Sequence, residues 1–124
     1  MTDISEEAGS VAQAYYRGWT SRRFDDAIRF LADGLEVEVP INEYPTRESF
    51  AAALTAFGAM VERVDLLAQF ARGDEAMLLY DLQVAGIGAM RVAEHFTVRG
   101  GKITRLRQIH DTAAVRAAGL AGPR

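Results

Sequence analysis

The second half of the chain alternates. After Glu62, apolar and polar residues trade places through four runs, read here as strands at 64–71, 76–84, 89–98 and 102–110. Successive strand side chains point to opposite faces, so this alternation marks strands with one buried face. Arg72-Gly73-Asp74, Ala85-Gly86-Ile87-Gly88 and Arg99-Gly100-Gly101 separate the runs. Glycine-bearing breaks this short permit a tight reversal, which predicts successive antiparallel hairpins. Such a sheet has an apolar face that something must cover, and the first sixty residues are the available cover.

Those residues read as helices. Ile4, Ala8, Val11, Ala12, Tyr15 and Trp19 recur at helical spacing as one apolar stripe. Thr20-Ser21-Arg22-Arg23 breaks it. A second, shorter helix follows with Phe24, Ala27, Ile28 and Leu31 on one face, Asp25 and Asp26 in its first turn, and Gly34 as its stop. Leu35-Glu36-Val37-Glu38-Val39 is a strand with Leu35, Val37 and Val39 inward, ended by Pro40. The loop from Pro40 to Pro45 is too rich in proline for regular structure. Thr46 is the predicted N-cap of a third helix, whose stripe is Phe50, Ala53, Leu54, Phe57 and Val61. The tail predicts a short helix capped by Asp111, then a frayed end at Gly119 to Gly122-Pro123.

The chain's 124 residues, 49% hydrophobic and 25% charged, suit one globular domain over 1–124. The absence of cysteine excludes disulfides, thiolate metal sites and cysteine nucleophiles. A net charge of −3 with mixed signs gives no basic surface, so no nucleic-acid partner is expected. No apolar run approaches a membrane span, and the acidic start MTDISEEAGS is unlike a secretory signal; no membrane partner and a cytoplasmic location are expected.

The order helix–helix–strand–helix and then four strands is α+β. It resembles the nuclear-transport-factor-2-like superfamily, and within it the SnoaL-like, polyketide-cyclase-like branch. The residues that carry the resemblance are Arg91-Val92-Ala93-Glu94-His95-Phe96-Thr97-Val98-Arg99-Gly100-Gly101-Lys102-Ile103, then Leu106-Arg107-Gln108. Tyr15-Tyr16 and Trp19, leading to Ala32-Asp33-Gly34 and the strand ending at Pro40, match as well. The resemblance implies a cone-shaped, curved antiparallel sheet with N-terminal helices on its concave face, around an apolar pocket. It spans enzymes and non-enzymatic binders alike, so fold alone selects no reaction. Tyr15 looks like the helix tyrosine of ketosteroid isomerases, but their general-base aspartate falls on Val39 and their proton-donating one near Ala93. Asn42 and Asp81 are similar to two members of the limonene epoxide hydrolase set. The remaining members fall on Gln108, near Leu79 and on Pro40.

Period two and the resemblance together sort the candidates. The resemblance turns the Asp81 face of its strand toward the pocket, with Leu79 and Gln83. An aspartate buried there has a raised pKa, suited to acid–base work; a salt bridge to Arg91 is the structural alternative. His95 shares a face with Arg91 and Ala93, and His110 with Leu106 and Gln108. Histidine is the side chain best poised for proton transfer near neutral pH. The catalytic candidates are therefore Asp81, His95 and His110, and the substrate-binding candidates Tyr15, Trp19, Asn42, Arg91 and Gln108. The two histidines and Asp81 number three ligands, but no short-spaced motif supports a metal and none is assigned.

The functional expectation is a cofactor-independent acid–base enzyme of the isomerase, cyclase, dehydratase or epoxide-hydrolase kind, acting on a small apolar molecule. The alternative is a non-catalytic binder of such a molecule. Leu78, Tyr80 and Leu82, with Val92 and Phe96, are expected on the face away from the pocket. Such a face predicts a sheet-to-sheet homodimer.

Overall fold

The structure, a computed structural model, describes residues 4–119. Nine elements run α1 (Ile4–Thr20), α2 (Phe24–Ile28), β1 (Leu31–Glu38), α3 (Arg47–Gly58), β2 (Val61–Arg72), β3 (Glu75–Val84), β4 (Gly88–Arg99), β5 (Lys102–Ile109) and α4 (Ala113–Ala117). The five strands form one curved, unclosed sheet in the order β1-β5-β4-β3-β2. The pairs from β2 to β5 are antiparallel hairpin pairs, as the glycine punctuation predicts. β1 joins β5 in parallel. Its partner lies at the far end of the chain, so no local signal announces the pairing. No helix among the described residues is long and apolar enough to cross a membrane.

Local chemistry explains most of the boundaries. α1 stops short of Arg22, whose φ of 62° is left-handed, and the N–H of Arg23 donates back to the carbonyl of Gly18. The Arg22 guanidinium then reaches the carbonyls of Ala59 and Val61, fastening the end of α1 to the α3–β2 link. Thr46 caps α3 as predicted: its hydroxyl accepts from the Ser49 N–H at 3.0 Å, and the Ser49 hydroxyl accepts from the Thr46 N–H. Arg47 fixes the start of that helix by donating to the carbonyls of Ile28 and Leu31. Asp111 accepts from the Ala113 N–H at the start of α4. The expected frayed end from 120 onward lies outside the described residues.

Two boundaries differ from expectation. α2 stops at Ile28, and Leu31 belongs to β1, opposite Ile103 and almost wholly buried. Gly34 therefore lies within β1, where the register shifts between Leu31 and Glu36, and does not stop a helix. Val61 opens β2 and does not extend the α3 stripe.

The faces of the central strands are the reverse of those expected. Leu78, Tyr80, Leu82, Val92 and Phe96 are buried against the helices, in one core with Tyr15, Tyr16 and Trp19. Tyr15 meets Phe96 edge-on at 5.7 Å, and Tyr80 packs beside both Tyr16 and Trp19. The outward row is Ala68, Leu79, Ala93 and Ile109, directly opposite one another across four strands. The outward face thus keeps an apolar strip, but of other residues, and Phe70, Met77 and Ile109 are its exposed members.

This parity is testable at adjacent positions. Leu82→Ala should cost about 2–5 kcal/mol in urea denaturation, because it opens the core. Gln83→Ala, on the exposed side, should stay within about 0.5 kcal/mol. Equal costs would reverse the assignment.

Candidate functional site

The concave face encloses a cavity of about 290 Å³ between α1, α3, the 39–44 loop, β3, β4, the end of β5 and α4. Its wall is mostly apolar. Phe50, Leu54 and Phe57 come from α3, Ile41 and Tyr44 from the loop, Leu82, Met90 and Val92 from the sheet, and Val115 from α4. Against this lining stand a few polar groups: Tyr15 and Trp19 from α1, Tyr80, Glu94 and Gln108 from the sheet, and Asn42 and His110.

Glu94 is the centre of these. It is 1% exposed and carries the one buried carboxyl among the described residues. Register explains its contacts. Gln108 lies directly opposite it on β5, and Tyr80 is its diagonal neighbour on β3, all on the inner face. The Tyr80 hydroxyl donates to Glu94 Oε1 at 3.0 Å, and Gln108 Nε2 donates to Oε2 at 2.7 Å. Burial disfavours the carboxylate and pushes the pKa up to about 7, while the two hydrogen bonds hold it from rising further. Both protonation states are thus within reach near neutral pH.

The phenols around it stay protonated. Burial raises Tyr15 and Tyr80 well above the ordinary value, and the Glu94 charge raises both further. Tyr16 is pushed up to about 12 by burial, then by Asp65 and Glu94. The hydroxyls of Tyr15 and Tyr16 and the indole N–H of Trp19 are buried without a hydrogen-bond partner.

Of the sequence candidates, Tyr15, Trp19, Asn42, Gln108 and His110 line the cavity. His110 is half-buried, with Nδ1 3.1 Å from the Asp111 carbonyl oxygen. Asn42 is exposed, holds a left-handed φ of 69°, and donates toward the Tyr44 hydroxyl at 3.4 Å.

Asp81, Arg91 and His95 are on the opposite face. Arg91 holds Asp81 in a two-pronged pair at 2.7 and 2.9 Å. That hydrogen-bonded arginine lowers the pKa of Asp81, where burial in a pocket would have raised it. The salt-bridge alternative is therefore the one realised. His95 lies between Glu75, at 2.8 Å from Nε2, and Arg107, at 3.3 Å from Nδ1. Arginine only donates, so in this arrangement Nδ1 accepts from Arg107 and Nε2–H donates to Glu75. These three are surface pairs of the outward face, and the cavity does not bring them together with His110. Among the described residues, no group of three or more His, Asp or Glu side chains is placed to hold a metal ion.

Glu94 and Tyr80 are the residues that sequence reasoning missed. A signal for them was present. On β4 the Glu94 face also carries Met90, Val92, Phe96 and Val98, whereas the other face carries Arg91, His95, Thr97 and Arg99. The more apolar face is the buried one, and a lone acid on it is the anomaly to follow.

Comparison with known proteins agrees with this architecture. A protein from Kribbella flavida DSM 17836 superposes with a TM-score of 0.84 at 32% identity, over 90% of this chain and 92% of that one. An NTF2-like protein of unknown function from Cytophaga hutchinsonii gives 0.78 at 14% identity, over 94% and 96%. An epoxide hydrolase of LEH-like type from M. tuberculosis gives 0.73 at 20%, over 92% and 90%. No curated protein matches the chain. The SnoaL-like domain model matches residues 12–106, and with the helix-covered sheet this establishes that the chain belongs to the SnoaL-like domain family, on the NTF2-like fold.

Proposed function

We propose that the chain is a cofactor-independent acid–base enzyme that acts on a small apolar molecule held in the concave cavity. Glu94 is the group that transfers the proton, and Tyr80 and Gln108 hold its carboxyl in place. The observation that supports this is the one buried carboxyl among the described residues, its pKa pushed up to about 7, on the wall of a mostly apolar cavity. A carboxylate in that setting takes a proton from an activated carbon or a water, and the neutral acid returns it to an oxygen or carbon. Isomerisation, cyclisation, dehydration and epoxide opening all use this exchange. His110, at the cavity wall beside α4, is the second site available to a proton.

The probe is a cyclic ketone, 2-tetralone, in D₂O. Deuterium should enter beside the carbonyl faster than in buffer alone, and Glu94→Gln should lower the catalysed rate by about 10²-fold or more. Both Glu94 oxygens are already engaged by Tyr80 and Gln108, and that observation favours the second reading, a non-catalytic binder of the same ligand. Binding of the ketone with exchange at the buffer rate, in the wild type, would select the binder.

The buried acid also sets a pH dependence of stability. The folded pKa of about 7 lies above the ordinary 4.5, so unfolding releases a proton between those values. Stability from this group is full below about pH 4.5 and falls as pH rises toward 7. Relative to Glu94→Gln, the wild type should lose on the order of 3 kcal/mol from pH 4.5 to 8 in chemical denaturation. A constant difference across that window would remove the buried-acid assignment.

The outward strip is proposed as the contact with a second copy of the chain. Its centre is the small and apolar row Ala68, Leu79, Ala93 and Ile109, with charged pairs such as Asp81–Arg91 to one side and His95–Glu75 to the other. Apolar centre and charged rim are the composition of a self-complementary patch. Light scattering at micromolar concentration should give a dimeric mass for the wild type and a monomeric one for Ile109→Asp combined with Phe70→Asp. A dimer that survives both substitutions would have to use another surface.

A further inference from the structure

Gln108 belongs both to the Glu94 cluster and to the open part of the cavity wall. Its Nε2 donates to Glu94 Oε2 at 2.7 Å. It also lines the cavity and is half-buried, whereas Glu94 is almost wholly enclosed. Among the described residues no donor reaches Gln108 Oε1, and that atom is not one of the enclosed unpaired ones, so this end of the amide is accessible. A primary amide has a donor end and an acceptor end of similar size, and half a turn about its last torsion exchanges them. The carboxyl decides which end faces it. An ionised carboxyl only accepts, so it takes the N–H and leaves Oε1 turned away. A neutral one has an O–H to donate, so it takes Oε1 and leaves the N–H turned away. Tyr80, buried among apolar side chains, keeps donating to Oε1 of Glu94 in both states, which leaves Oε2 for the proton.

We infer that Gln108 determines what kind of ligand the cavity takes: it offers an acceptor oxygen while Glu94 is ionised and an N–H donor once Glu94 is protonated, so the preferred ligand changes from hydrogen-bond donor to hydrogen-bond acceptor as pH falls. The inference rests on the reading of the cavity as a ligand site and names the residue that sets its specificity. Burial, by pushing the Glu94 pKa up to about 7, makes both states accessible to the folded protein. The groups packed around the carboxyl leave the switch to it. β3 contributes Tyr80 and α1 contributes Tyr15 and Tyr16, phenols that burial keeps protonated. α3 and α4 turn apolar side chains to the cavity, and Tyr44 and His110 complete the ionisable groups of the wall. Histidine titrates in the same range as this carboxyl, so His110 is the competing source of a pH effect.

Three bicyclic probes of one size, neutral at every pH used, read the switch: indole, whose N–H only donates; 1-indanone, whose carbonyl only accepts; and indene, which does neither. A cavity of about 290 Å³ suits molecules this small. Isothermal titration gives their affinities from about pH 5.5 to about pH 8.5, on either side of the Glu94 pKa. Relative to indene, indanone should weaken and indole should tighten as pH rises, changing the ratio of their affinities by about tenfold or more. Glu94→Gln should hold that ratio constant across the range. Gln108→Leu, checked for native circular dichroism, should do the same although Glu94 is still present, and Gln108→Met serves if the leucine variant does not fold. A constant ratio in the wild type, with the probes bound, would overturn the inference and keep the cavity as a ligand site. So would a trend that persists without Gln108, or one that persists in Glu94→Gln and vanishes in His110→Asn. If no probe binds at its solubility limit, the ligand-site reading falls, and the inference with it.

Discussion

A carboxyl group buried in an apolar sheet face is the constraint around which this molecule is arranged. Glu94 sits among Met90, Val92, Phe96 and Val98 on a strand whose inner face otherwise has no polar side chain. An unpaired buried charge of this kind costs several kcal/mol (roughly, after relaxation), which a small domain cannot spare. Two features reduce the cost here. Tyr80 and Gln108 supply a donor to each oxygen, and the raised pKa lets the group become neutral. Both features require neighbouring strands in correct register, because a one-residue slip would turn Gln108 or Tyr80 to the other face. The hairpins that set the sheet therefore also set the acid.

The helices complete the same device. α1 brings Tyr15 and Trp19 down onto the sheet, and Phe96 and Tyr80 receive them edge-on. α3 reaches the other side of the cavity because Thr46 and Arg47 fix its first turn against β1. Arg22 closes the remaining side by joining the end of α1 to the start of β2. The cavity is thus bounded by three separately anchored elements, an arrangement that favours a preformed shape.

Much of the fold was legible in the sequence, and for identifiable reasons. Alternation and short glycine turns are local signals, so the antiparallel strands, the Thr46 cap and the α1 stripe could be read directly. The β1–β5 pairing could not, since it joins residues some seventy apart, and Leu31 then passed for helix because its helical spacing is as good as its strand spacing. The site was legible only in part. Tyr15, Trp19, Asn42, Gln108 and His110 line the cavity, but Asp81, Arg91 and His95, expected on the inner face, lie on the outer one. The resemblance turns that face inward, whereas the hydropathy of the strand itself points the other way. The Arg91, His95, Thr97, Arg99 side of β4 is the polar side, and water claims the polar side of a strand.

The same reversal gives the outward face its meaning. A polar exterior would have been satisfied by alternating charge all along, yet the Ala68–Leu79–Ala93–Ile109 row interrupts it at the centre of four strands. Asp81 and Arg91 on one side of that row, and Glu75, His95 and Arg107 on the other, neutralise each other within the sheet. Internal pairing leaves little net field at the centre, so the apolar row can approach another surface without stranding a charge. On the proposed readings, the ionisable residues that first suggest chemistry frame a contact between copies, while the acid proposed for proton transfer is the one that the apolar side of the strand encloses.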